Sequence, residues 1–238
     1  MLEQYKSENV LFIDVETVPI SRSFDLLDEE MQMLWTKQSK RISYDDETPA
    51  ELYDRAGICA EFGKIVCVSV GGITIKNGER YFKVKSFYGD DEKSILQEFA
   101  QVLNIFSSKG DNFLCGHNVK EFDFPFICRR MIINGVKLPS ILDVSAKKPW
   151  EIQFIDTMEL WKFGDFKYRT SLALLTKILG IPTPKDDIDG SEVAQVYYEE
   201  NNIERIVHYC EKDVLATAQL FLRFKNEPLI KEDNIIKR

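Results

Sequence analysis

The chain has 238 residues, 44% hydrophobic and 29% charged, the make-up of a globular protein with a substantial core. Its 31 basic and 39 acidic residues leave a net charge of −8, which argues against a protein that coats nucleic acid with lysines. An enzyme that meets nucleic acid through metal ions is still allowed, because bound cations reverse the local field. Five cysteines (Cys59, Cys67, Cys115, Cys128 and Cys210) are scattered, odd in number and without CxxC spacing. They read as reduced, mostly buried thiols of a cytoplasmic protein rather than a zinc site or a disulfide frame. No apolar run approaches the ~18 residues of a membrane span, and the polar opening "MLEQYKSEN" has no signal-peptide character.

In chain order, "NVLFIDVET" (9–17) reads as a first strand. Residues 20–60 change character: "SFDLLDEEMQMLWTKQ" has helical spacing and "SYDDETPAEL" is a polar loop, so this stretch reads as an insertion between two strands. "FGKIVCVSVGGITI" and "RYFKVKSFYG" are β-rich, and the Asn77-Gly78 pair between them signals a hairpin turn. "DDEKSILQEFAQVLNIF" predicts an amphipathic helix with acidic residues at its start. A short strand "NFLCG" follows, then a helix from near Pro125 to Asn134-Gly135. "EIQFIDTMEL" predicts a strand, "TSLALLTKILG" a helix closed by Gly180, and "DGSEVAQVYYEE" and "NIERIVHYCEKDVLATAQLFLRF" two more helices. A hairpin followed by alternating strands and helices predicts one α/β domain over 1–238, a mixed sheet with helices packed on it, carrying the insertion at 20–60.

Certain carboxylates stand out. Asp14 and Glu16 end the first strand and share one face of it, because successive side chains alternate. Like charges so placed raise each other's pKa, which is tolerated on a wet surface or around a cation. Asp123 lies between two phenylalanines at a helix start, where an acid often serves only as a cap. Asp213 lies inside an apolar helix, one turn after Tyr209 and on its face, although Asp is a poor helix former. Taken singly, each of these acids has an ordinary explanation.

Together they have an order: Asp-x-Glu closing the first strand, Asn118-x4-Asp123 at a helix start, and Tyr209-x3-Asp213 in a late helix. This order resembles the DEDD superfamily of 3′–5′ exonucleases, which share a ribonuclease H-like fold. "GHNVKEFDFPFICRR" is similar to the second motif of the proofreading exonuclease domain of family B DNA polymerases. "KDDIDGSEV" with "IVHYCEKDV" resembles the run into its third motif. The resemblance is greatest to stand-alone polymerase-B-like exonucleases. It spans most of residues 9–225 and is weakest in the insertion.

Hydrolysis of a phosphodiester needs an activated water and a stabilised leaving oxygen, which two divalent ions ~4 Å apart supply. Mg²⁺ and Mn²⁺ prefer hard oxygen ligands, so carboxylates suit them better than Cys or His. The resemblance implies Asp14 as a bridge between two such ions, with Glu16, Asp123 and Asp213 completing their shell and Tyr209 positioning or deprotonating the water. It also implies contact of the backbone around Thr17 with the 3′-terminal nucleotide. Asn118 and Lys185 are further substrate-contact candidates, although a loop lysine is more often simply solvated. The superfamily divides by whether a Tyr four residues, or a His five residues, before the last Asp assists the water. Both are present, as Tyr209 and His208. Five helical residues rotate about 140° away from Asp213 and four only about 40°, which favours Tyr209 and leaves His208 as an ordinary, partly buried histidine pointing elsewhere.

Other residues read more plainly. Two of Phe122, Phe124 and Phe126 belong to the core by default, although a phenylalanine beside Asp123 would also stack on bases. Asp156 reads as a helix cap, with support of the site as the other role. Trp161, Phe163 and Phe166, interleaved with Lys162 and Lys167, fit a track for single-stranded nucleic acid as well as a half-buried loop.

The expected activity is removal of nucleoside 5′-monophosphates from a single-stranded 3′ end, with DNA favoured over RNA. An exoribonuclease is the alternative within enzymes, since that choice depends on contact with the 2′-OH. A nucleic-acid-binding module without turnover is the alternative outside them, and the presence of all four acids and Tyr209 argues against it. The acids are spread over ~200 residues, unlike the single calcium loop of an EF-hand.

Overall fold

A computed structural model describes residues 2–43, 47–108, 110–165, 167–182 and 188–237. The strands it describes are β1 (Val10–Pro19), β2 (Gly63–Lys76), β3 (Glu79–Tyr88), β4 (Phe113–Gly116), β5 (Phe154–Asp156) and β6 (Ile235–Lys237). They form one mixed sheet in the order β5-β4-β1-β2-β3-β6. β1, β2 and β3 are antiparallel, whereas β4 runs parallel to β1, β5 to β4 and β6 to β3. The helices are α1 (Glu29–Ser39), α2 (Glu92–Ser107), α3 (Asp123–Ile133), α4 (Thr157–Lys162), α5 (Leu172–Ile178), α6 (Val193–Gln195) and α7 (Ile203–Phe224). The fold is α/β, a mixed sheet flanked by helices, as in ribonuclease H-like proteins.

β1 shows why helices cover both faces. Its odd-numbered residues Leu11, Ile13 and Val15 join Leu96, Phe99 and Leu103 of α2 and Phe124 and Ile127 of α3 in one core. Its even-numbered residues turn to α7. Val10 and Phe12 pack with Val214, Ala218 and Phe221, and Val18 packs with Ile206, Val207 and Cys210. The two clusters beneath α7 are separate, and Asp14 and Glu16 occupy the gap between them.

The segment between β1 and β2 has its own small core of Trp35, Leu52, Tyr53, Ala56 and Phe62. The Trp35 indole donates to the Pro49 carbonyl at 2.7 Å and meets the Tyr53 ring edge-on. Thr17 ties β1 to this unit by donating to the Gly57 carbonyl at 2.8 Å. On the sheet face covered by α2 and α3, Arg130 of α3 forms a buried fork with Glu92 of α2, whose carboxylate also accepts from the Ile65 N–H of β2.

Several local expectations change. α3 starts at Asp123 rather than near Pro125, which instead sits in the first turn, where a proline is tolerated. The strand expected across 151–160 shrinks to Phe154–Asp156, because Asp156 accepts the Met158 and Glu159 N–H groups and starts α4 at once. The helix expected over 189–200 divides into α6 and a π-helical turn, Val196–Glu200, closed by Asn201 at φ 50°. The C-terminal β6 has no long apolar signal; its "IIK" is recruited by pairing with β3.

Gly71 sets the distance between the sheet and α7. A Cβ there would lie 2.1 Å from the Phe82 ring and 2.8 Å from Val214 of α7. Gly71→Ala is expected to lower stability by about 1–3 kcal/mol through overpacking, read as a lower urea midpoint.

Candidate active site

β4 ends at Gly116, and its pairing with β1 reaches only from Val10 to Phe12. Beyond Phe12, that edge of β1 is open for another element. Gly116 makes the approach close: a Cβ there would lie 2.6 Å from Val119 and 3.1 Å from the Ile13 carbonyl. Asn118 takes a left-handed conformation, φ 63°, and turns the chain into α3. Asp156 holds this turn, accepting the N–H groups of Asn118 and Lys120 as well as those that start α4. It therefore caps a helix and supports the loop before Asp123. His117 bridges the same region, its ring nitrogens lying 2.9 Å from the Thr157 hydroxyl and the Thr170 carbonyl.

These constraints bring Asp123 to β1, where the Val15 N–H bonds its carboxylate. From the other side α7 contributes Tyr209 and Asp213, and Asp14 and Glu16 rise from β1 between them. The charges act on one another. Burial, then Asp213 and Asp123, hold Asp14 well above the usual carboxylate range. Burial, then Asp14 and Asp213, do the same to Glu16. Asp123 is pushed up to about 7, chiefly by burial and further by Asp156 and Asp213, against the N–H groups that favour its ionised form. Burial and the neighbouring Asp213, with which it is hydrogen-bonded, lift the Tyr209 phenol above its ordinary range, so the hydroxyl keeps its proton.

Asp14 is only partly buried as a residue, yet its Oδ2 is sealed from solvent and has no hydrogen-bond partner among the described residues. Buried polar atoms are nearly always paired. An unpaired carboxylate oxygen among further carboxylates fits a site for hard divalent cations, whose preferred donors are of this kind.

The remaining expected residues divide. The Thr17 hydroxyl donates to the Gly57 carbonyl, and the β1–β2 register shifts between Glu16 and Thr17. Asn118 lines a cavity of about 330 Å³ with Lys120, Glu121, Asp156, Glu159 and Lys162, and none of the four acids lines it. Lys185 and Phe166 lie outside the described residues. His208 points elsewhere as expected, but it is exposed rather than partly buried, with its Nδ1 3.0 Å from Lys237. Phe124 and Phe126 are core and Phe122 is half-buried. Trp161 stacks on Phe224 of α7, so it is a packing residue, whereas Phe163 is 75% exposed.

Cys210 and Cys67 escaped the sequence reading. Cys210 donates to the Asp14 carbonyl at 3.4 Å, and Cys67 lies opposite Glu16 in the β1–β2 register. Cys210 had a signal: three residues before Asp213 puts it on the adjoining helix face. Cys67 had none, because strand register is not visible in a single strand.

The raised carboxyls link stability to pH. A group protonated more readily when folded adds stability below its unfolded pKa and loses it as pH rises through the folded value. For Asp123 that window runs from its ordinary 3.8 to about 7. Chelator-treated protein is therefore expected to lose thermal stability between these limits, and Asp14→Asn to melt higher than wild type at pH 8. A lower melting temperature for Asp14→Asn would contradict this account.

A family model described as "Predicted 3′-5′ exonuclease related to the exonuclease domain of PolB" matches residues 58–230. The match includes Asp123, Tyr209 and Asp213, while Asp14 and Glu16 precede it on the strand that β2 and β4 pair with. With most of its length matched and this arrangement of acids on and around the central strand β1, the chain belongs to the family of predicted 3′–5′ exonucleases related to the exonuclease domain of PolB.

Proposed function

We propose that this protein is a two-metal-ion 3′–5′ exonuclease that shortens single-stranded DNA, releasing nucleoside 5′-monophosphates one at a time. The observation that carries the reading is the buried, unpartnered Asp14 Oδ2 at the meeting point of four carboxylates. DNA as substrate rests on the family's kinship with the PolB exonuclease domain. The unit is taken as one domain over 1–238, with residues 20–60 as an insertion that borders the substrate path. Among the described residues no helix is long and apolar enough to cross a membrane, and the free thiols of all five cysteines fit a cytoplasmic setting.

Asp14, Glu16, Asp123 and Asp213 would hold Mg²⁺ or Mn²⁺. When bound, such ions supply an activated water and charge stabilisation for the leaving oxygen. The chain's own groups do the rest. Tyr209 keeps its proton and donates it to Asp213, and its phenol oxygen accepts from the attacking water and so orients it. Asp156 keeps Asp123 at β1 through the loop it clamps. The bulge between Glu16 and Thr17 interrupts the β1–β2 ladder where the terminal nucleotide would meet the backbone. Asn118 opens on the cavity it shares with Lys120 and Lys162 and would contact substrate there. Lys185 is retained as a phosphate contact.

A 5′-labelled single-stranded DNA oligonucleotide, incubated with Mg²⁺ or Mn²⁺, is expected to give a ladder shortening from its 3′ end. Asp14→Ala and chelator should each abolish it. A ladder on RNA alone would overturn the choice of DNA, and no ladder on either polymer from folded protein would overturn the exonuclease reading. Tyr209→Phe is expected to lower kcat by on the order of 10²-fold, while His208→Ala stays near wild type. The reverse ranking would move the water-orienting role to His208.

A further inference from the structure

β1, β4 and β5 run side by side in one direction, and sheets of this kind bind ligands outside the carboxyl ends of such strands. Phe12 aligns with Cys115 and Cys115 with Ile155. The next residue of β5, Asp156, therefore reaches the level at which the acids of β1 begin, two strand spacings or about 10 Å to the side. The cavity that Asn118, Asp156 and Lys162 line opens at these ends of β4 and β5.

α4 stops beside this cavity on an unusual residue. Its C-cap is Phe163, at φ 46° and 75% exposed, between Lys162 and Gly164 of the cavity wall. Helices usually give such a left-handed place to glycine or asparagine, and a bulky residue in it is strained. Strain of this kind collects at ligand clamps and active sites. Here it holds an aromatic ring out in water, where the ring gains no burial. Tyr168, farther along, is also exposed. The segment is pinned in this arrangement: Lys162 and Arg169 both pair with Glu121, and the His117 ring meets the Thr170 carbonyl.

Charge matches the rings. Residues 162–177 set Lys162, Lys167, Arg169 and Lys177 against Asp165 alone, in a chain whose net charge is −8. At the cavity Lys120 and Lys162 are met by Glu159 and Glu121. Lys167 and Arg169 are exposed, and an arginine has five donors, enough to keep Glu121 and still bind an anion. Exposed rings beside exposed cations suit a chain of bases joined by phosphates, since rings stack on bases and cations meet phosphates.

We propose that Phe163 and Tyr168, as stacking platforms, and Lys167 and Arg169, as phosphate contacts, form the track that holds the single strand behind its 3′ end. The proposal rests on the exonuclease reading, which puts the 3′ terminus at the acids of β1. At about 3.4 Å per nucleotide, the offset of about 10 Å places the first stacked base about three nucleotides from that terminus. Stacking needs free base faces, so the track accepts single strands of any sequence and does not hold a duplex.

The test is fluorescence anisotropy of the full-length protein with 5′-labelled oligo(dT) of about ten nucleotides, in chelator so that nothing is cleaved. Binding is expected, tighter than to a trimer or to a blunt duplex. Phe163→Ala should weaken it roughly 5- to 100-fold and flatten the preference for the longer strand, while Phe163→Trp should restore both. Lys167→Gln combined with Arg169→Gln should lower the slope of log Kd against log salt by about 1.4, the share of two phosphates. Phe163 decides the matter if the double variant fails to fold. No binding by folded wild type, a trimer bound as tightly, or binding untouched by Phe163→Ala overturns the track. A 3′ ladder from protein whose binding ignores Phe163 defeats only this proposal. Phe163-dependent binding by a chain that cleaves neither polymer defeats only the exonuclease reading.

Discussion

Mutual repulsion of carboxylates that cannot reach bulk water is the constraint around which the rest is built. Asp14 and Glu16 stand where β1 should present apolar residues to α7, and Asp213 faces them from the helix. Without a counter-charge each must hold its proton or push its neighbours apart. The surrounding fold resists the second outcome. Phe12, Val214 and Phe221 clamp α7 on one side of the acids, and Val18, Ile206 and Val207 clamp it on the other. Apolar burial thus holds together a polar centre that is unfavourable by itself, which is how strain comes to be stored at functional sites.

A second constraint is geometric. A short β4 leaves β1 unpaired on one edge beyond Phe12, and the chain uses that edge. Gly116 permits the approach, Asn118 supplies the turn, and Asp156 satisfies four N–H groups that the turn and α4 would leave unpaired. The Val15 N–H then finds Asp123 rather than a strand carbonyl. A lost ladder hydrogen bond has become a hydrogen bond to an acid.

Much of this was legible in the sequence. Alternation in "LFIDVET" put Asp14 and Glu16 on one face, and the four-residue spacing put Tyr209 with Asp213, because both follow from local periodicity. The helix–strand alternation was enough for a mixed sheet with helices on it. What was hidden depends on contacts distant in sequence. Cys67 reaches the site only through the β1–β2 register, and β6 exists only because β3 offers it an edge. α4 was half legible: Asp156 reads as a helix cap, yet the apolar run on to Leu160 reads as strand, and only the capping bonds show that a helix starts at the next residue. The aromatic and basic stretch near residue 161 mixed two roles that only packing separates: Trp161 leans on Phe224 and Phe163 stands in solvent.

The two separate clusters under α7 carry a consequence for how such a protein evolves. A helix held at both ends behaves like a beam on two bearings, and the span between them is tied by polar contacts rather than apolar packing, Glu211 meeting Ser86 of β3 and Lys237 of β6. Residues in that span are free to change chemistry without the architecture giving way. Loss of an acid there alters what the pocket holds while the two apolar clusters stay in place.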